Sequence, residues 1–131
     1  MATYLSKMTK ILIVDDDTDI TLAFKKGLEN DGFKVDVFND PLEALSNFEA
    51  SKYDLLLLDI RMPKMNGFEL YREMDKIDNN VKVCFITAFE VYYEALREVF
   101  PSMEVECFIR KPIEIGNLVK RIKNELNLSN S

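Results

Sequence analysis

"KILIVDDDTDI", residues 10–20, runs four apolar residues, Ile11 to Val14, straight into three aspartates, Asp15, Asp16 and Asp17, with a fourth at Asp19. A short unbroken apolar run is the pattern of a strand buried on both faces. Neighbouring carboxylates repel and raise one another's pKa, so the turn that follows calls for a cation or for solvent. Beyond it Ile20, Ala23, Phe24, Gly27 and Leu28 recur at helical spacing. Asp17 or Thr18 caps that helix, and Gly32 is placed to end it. The stretch therefore reads as strand, acidic turn, helix.

Strand-like and helix-like segments alternate from there on. "FKVDVF", 33–38, alternates as a strand. Asp40, Pro41 and Glu43 supply an N-cap, an N1 proline and a capping-box acid for a helix burying Ala44, Leu45 and Phe48. "DLLLLD", 54–59, is the third strand, and Asn66 with Glu69 forms a capping box opening a helix through about Lys76. "VKVCFITA", 81–88, is the fourth strand. The spacing predicts a fourth helix from Val91 to Phe100, stopped by Pro101, with Val91, Ala95 and Val99 turned inward. "VECFI", 105–109, is the fifth strand, and Ile115, Leu118, Val119, Ile122 and Leu126 form the last helical stripe.

Five strand–helix units imply an α/β fold with a parallel sheet covered on both faces. Strands one and three are uninterrupted and belong at the centre. Strands two and five carry Lys34, Asp36 and Glu106 and belong at the edges. The flavodoxin-like, doubly wound order 2-1-3-4-5 satisfies this, as a three-layer (βα)5 sandwich. It leaves a crevice between strands one and three, outside their carboxyl ends. No internal repeat or Pro/Gly/Ser-rich linker interrupts it, so residues 10–128 read as one domain, with a leader at 1–9 and a tail at 129–131.

Composition narrows the function. The 131 residues are 47% hydrophobic, ordinary for a globular chain, and the net charge of −6 argues against direct nucleic-acid binding. There is no histidine, which removes imidazole-based catalysis and most zinc sites. Cys84 and Cys107 lie in apolar runs without metal-site spacing and read as two small core residues in a reducing compartment. The N-terminus has no signal-like apolar region, and no apolar run approaches about 18 residues. These features lead us to expect a soluble, cytoplasmic chain without a membrane partner.

The chemistry lies just past the strands. Strand one ends in Asp15 and Asp16, strand three in Asp59, strand four in Thr87, and strand five leads to Lys111. Singly, each has an ordinary explanation as a helix cap, a strand-end hydroxyl or a surface lysine. Together they fall around one crevice. The three carboxylates form a nest suited to Mg²⁺, a hard cation that favours oxygen ligands, and Lys111 adds a fixed positive charge. Asp59 needs no base, because it is already ionised, and a carboxylate can attack phosphorus to give an acyl phosphate.

At this point the chain resembles a response-regulator receiver domain, over roughly residues 9–127. The matching motifs are "ILIVDDD", "LLLLDIRMPKMNGFEL", "FITA" and "FIRKP". The resemblance implies that Asp59 is the phosphoacceptor and that Asp15 and Asp16 hold Mg²⁺, with Asp16 the more direct ligand. It further assigns Mg²⁺ the backbone carbonyl of Arg61. The Thr87 hydroxyl, the Ala88 backbone N–H and Lys111 would stabilise the phosphoryl group, Thr87 and Phe108 would form the switch pair, and Lys111–Pro112 would be a cis peptide that sets the lysine's direction. The phosphodonor histidine would belong to a sensor histidine kinase or a histidine phosphotransfer protein. Output would pass to a downstream protein through the face made by the fourth helix, fifth strand and fifth helix, with room for a homodimer. Such a chain is a signalling receiver, catalysing only its own phosphoryl transfer and dephosphorylation.

The fourth helix departs from the family pattern: Tyr92 and Tyr93 are either core packing or an aromatic partner surface, and Pro101-Ser102-Met103 replaces the usual small turn. Phe89 is positioned to shield an acyl phosphate from water, which implies slow self-dephosphorylation. Only "NLSNS" follows the last stripe, so no output domain is expected in this chain. It is then either a stand-alone receiver or relay shuttle, or the receiver of a longer regulator. Three rivals fit less well. A haloacid-dehalogenase-type phosphatase needs D-x-D-x-T, but Asp19 stands where Thr should. An EF-hand loop beginning at Asp15 needs Gly and Glu where Ile20 and Lys26 stand. A passive interaction module leaves the complete acidic set unexplained.

Overall fold

The computed structural model describes residues 8–88 and 107–128. Five parallel strands form one sheet in the order β2-β1-β3-β4-β5, with β1 at Lys10–Val14, β2 at Lys34–Phe38, β3 at Leu55–Asp59, β4 at Lys82–Thr87 and β5 at Cys107–Arg110. Helices α1 (Thr18–Asn30), α2 (Pro41–Ser46) and α3 (Gly67–Ile77) and a C-terminal helix (Ile115–Glu125) are the described helices. The expected fourth helix, with Phe89, Tyr92 and Tyr93, and the start of the fifth strand at Val105 and Glu106 lie outside the described residues.

Strand texture follows strand position. Ile11 to Val14 and Leu55 to Leu58 are buried throughout, because helices cover both faces of the central strands. The alternating side chains of a strand feed two cores. One holds Ile11, Ile13, Leu55 and Leu57 with Leu28, Leu118 and Ile122 from α1 and the C-terminal helix; the other holds Leu12, Val14, Leu56 and Leu58 with Ala44, Leu70 and Met74 from α2 and α3.

Local signals explain the helix ends. Asp17 caps α1, accepting hydrogen bonds from the Asp19 and Ile20 N–H groups, and Gly32 follows the helix at φ 96°, a conformation open to glycine. Asp40 caps α2 at the Leu42 N–H, with Pro41 in its first turn. Both halves of the Asn66–Glu69 capping box form at α3. The last stripe needs a correction. Leu118 and Ile122 are buried, but Ile115, at the first position of its helix, is 40% exposed even though it packs against Gly27 of α1.

The cysteines need another correction. Both are fully buried, yet they are not separate thiols: β4 and β5 align Cys84 directly with Cys107, and a disulfide joins them. No described helix is long and apolar enough to cross a membrane.

Candidate functional site

Parallel strands deliver their carboxyl ends to one edge of the sheet. The residue after β1 is Asp15, the last residue of β3 is Asp59, the last of β4 is Thr87, and β5 runs on to Lys111. The Asp15, Asp16 and Asp59 carboxylates each offer an oxygen within 4.8 Å of the others. Asp15 and Asp59 are almost completely buried, whereas Asp16 is exposed at the mouth.

Lys111 closes the other side. Its Nζ lies 2.7 Å from Asp15 Oδ2 and 3.7 Å from Asp59 Oδ1. The short contact is an ion pair without hydrogen-bond alignment, so Asp15 Oδ2 is a buried oxygen with no directed hydrogen bond among the described residues. Asp15 Oδ1 accepts from the Asp17 N–H at 2.9 Å. Asp15 Oδ2 is thus held by the Lys111 charge without a hydrogen bond of its own among the described residues. Three carboxylates gathered this closely are a donor set that fits a hard divalent cation.

Asp59 departs from the sequence expectation that it is simply ionised. Its carboxyl is pushed up to about 7: burial is the largest cause, the Asp15 charge adds to it, Lys111 opposes both, Asp16 raises it and a backbone hydrogen bond from Arg61 lowers it. In a pocket of protein groups alone, a large share of Asp59 therefore carries a proton at neutral pH. A cation drawn in beside it would favour the ionised form.

Backbone contacts fix these groups. The Lys111 N–H donates to the Thr87 carbonyl at 2.8 Å, continuing the β4–β5 pairing to the pocket's rim. The Lys111–Pro112 peptide is cis. Thr87 is buried, and Ala88 follows it at the exposed end of β4. Phe108 is half-buried, stacked on Phe85 with ring centroids 5.7 Å apart and edge-on to Phe68 at 6.4 Å. Arg61 is exposed in the loop after β3.

Two supports are absent from the sequence reading. Asn39 Nδ2 donates to the Asp15 carbonyl at 2.8 Å and to Thr21 Oγ1 at 3.0 Å, bracing the acidic turn from β2 and α1. Its position just past β2, on the same sheet edge, was the available signal. Gly67 opens α3 so close to β3 that a Cβ there would overlap the Asp59 carbonyl oxygen. A second, open cleft of 620 Å³ lies at the β2 edge, away from the carboxylates. Its ionisable groups are largely paired with one another: Lys52 lies 3.7 Å from Asp36 and 3.4 Å from Glu49, and the Tyr53 hydroxyl donates to Asp36 at 2.7 Å.

Residues 11–123 match the family model "Response regulator receiver domain". The chain is 38% identical over 124 residues to the transcriptional regulatory protein CpxR homolog of Haemophilus influenzae, covering 95% of this chain and 53% of that protein. It is 34% identical over 119 residues to the response regulator receiver protein CpdR of Brucella abortus, covering 91% of this chain and 98% of that one. It thus spans about half the length of the first relative and nearly all of the second. A CheY-like receiver domain from Methanospirillum hungatei superposes with a TM-score of 0.78 at 28% identity, over 92% of this chain and 95% of that one. The non-phosphorylated HemR receiver domain from Leptospira biflexa does so with a TM-score of 0.80 at 28% identity, over 94% and 98%.

Proposed function

The chain belongs to the response regulator receiver domain family, and from that premise we propose that it accepts a phosphoryl group on Asp59 with the help of Mg²⁺. The observation that carries the reading is the gathering of Asp15, Asp16 and Asp59 oxygens within 4.8 Å, with the Lys111 ammonium against two of them. Receiver domains of two-component systems partner with histidine kinases. The donor here is a phosphohistidine on a sensor kinase or a histidine phosphotransfer protein, since this chain has no histidine.

In the transfer an Asp59 carboxylate oxygen attacks phosphorus as the donor's P–N bond breaks, leaving an acyl phosphate. Asp15, Asp16 and the Arg61 carbonyl would hold Mg²⁺, which when bound neutralises charge on the phosphoryl oxygens and keeps Asp59 ionised. Lys111 pairs with a phosphoryl oxygen, and the Thr87 hydroxyl and Ala88 N–H donate to others. The new charge draws Thr87 inward and turns Phe108. Driving such a switch from 1:99 to 99:1 takes about 5.5 kcal/mol, which several charge-assisted hydrogen bonds can approach. The signal then passes to a downstream protein, in the cytoplasm, through the face that includes β5 and the C-terminal helix.

Incubation with acetyl phosphate and Mg²⁺, read by intact mass, tests this. A single phosphoryl adduct on wild type and none on Asp59→Ala is the expected result. An adduct on both, or on neither, counts against it.

A further inference from the structure

Cys84 and Cys107 take no part in the acidic pocket, yet they sit on the two strands that form one side of it. They are opposite one another in the β4–β5 register, with Cα atoms 4.6 Å apart, a separation one S–S bond can span. Thr87 lies three residues beyond Cys84, Phe108 directly follows Cys107, and Lys111 lies four residues beyond it. Phe85 and Phe108, the next pair in the register, stack on one another. The pairing then runs unbroken to the Lys111–Thr87 backbone hydrogen bond. A covalent link at the cysteines therefore fixes the spacing of the strands that carry both members of the proposed switch pair.

The site is built for chemistry as well as packing. A Glu125 carboxylate oxygen lies within 4.8 Å of both sulfurs, on the C-terminal helix that covers them with Leu118 and Ile122. β5 lies at the edge of the sheet, beside β4 alone among the described strands. Edge strands and terminal helices open locally at lower cost than a sheet's centre, which gives a small oxidant access.

We propose that Cys84 and Cys107 are a reversible thiol–disulfide site, whose oxidation by a hydroperoxide clamps β4 to β5 and weakens the acidic pocket's response to a phosphoryl group. The coupling rests on the proposed function; the disulfide chemistry does not. Glu125 takes the proton of one thiol, the thiolate attacks one oxygen of hydrogen peroxide as the O–O bond breaks, and the departing hydroxide takes the proton back from Glu125, giving a sulfenic acid and water. The second sulfur then displaces hydroxide, which leaves as water with that thiol's proton. Two thiols lose two electrons and two protons, and one peroxide becomes two waters. Disulfides in reducing compartments are usually transient and redox-sensing, which suits this use.

Wild-type protein is treated with hydrogen peroxide or with a phosphine reductant, then unfolded, alkylated and weighed. The oxidised sample should lose two hydrogens and take no alkyl groups, and the reduced sample should take two. Two alkyl groups after peroxide would overturn the site. Beryllium fluoride with Mg²⁺, a phosphoryl mimic, should bind the oxidised form at least about threefold more weakly than the reduced form. The Cys84→Ala/Cys107→Ala protein should not respond to peroxide. Equal affinity in the two wild-type forms would overturn the coupling. Binding by neither form would instead contradict the proposed function, leaving alkylation to decide the disulfide.

Discussion

Asp59 is held near neutrality by burial first and by the Asp15 charge second. The unfolded chain ionises the same group near 3.8. Between that value and about 7 the folded state keeps a proton the unfolded state lacks. This contribution to stability is complete below the lower value and lost as pH rises through the upper one. Thermal unfolding without Mg²⁺ should therefore show wild type losing stability relative to Asp59→Asn as pH rises across that window. Mg²⁺ should reverse the trend, because its ligands must be ionised. The Lys111 ammonium has the opposite role, as the counter-charge of a carboxylate only 1% exposed. Lys111→Met should cost roughly 3 kcal/mol in denaturant unfolding without Mg²⁺, since it strands a buried charge, and saturating Mg²⁺ should restore part of the loss. The identities of these residues were readable at strand ends. The raised pKa was not, because it depends on how completely distant segments bury Asp59.

The strand–helix junctions set how accurately those residues meet. Gly67 begins α3, and its N–H donates to the Ile60 carbonyl at 2.9 Å. A Cβ at this position meets backbone atoms of Asp59 and Ile60, which cannot rotate away. Gly67→Ala should destabilise the fold by about 2 kcal/mol or more and abolish phosphoryl uptake. Gly116, in the first turn of the C-terminal helix, has nothing within 4 Å of its Cβ direction among the described residues. Gly116→Ala should leave uptake intact and stabilise by about 0.5 kcal/mol, so denaturant titrations of the pair separate crowding from loss of glycine as such. The Asn66–Glu69 capping box could be read from sequence because its partners are three residues apart. The Asn39 brace on Asp15 spans 24 residues and has no local signature. The Cys84–Cys107 alignment depends on the β4–β5 register, where a slip of one residue would turn the side chain to the other face.

At the scale of the whole molecule, strand texture carried the topology. Unbroken apolar runs took the centre and charged, alternating strands took the edges, giving the order 2-1-3-4-5. That order alone brings Asp15, Asp59, Thr87 and Lys111 from four strands to one edge. Ile115 shows where periodicity falls short: helical spacing marks the apolar stripe but not where neighbouring packing ends, and this residue lies at the stripe's exposed end over Gly27. The central claim is that this convergence makes Asp59 the nucleophile toward phosphorus. The most direct measurement is to load the protein with acetyl phosphate and Mg²⁺, reduce the acyl phosphate with borohydride, and map the product by peptide mass spectrometry. Homoserine at position 59, dependent on Mg²⁺, is the predicted result; homoserine at another aspartate, or a phosphoryl adduct that resists reduction, would contradict the account.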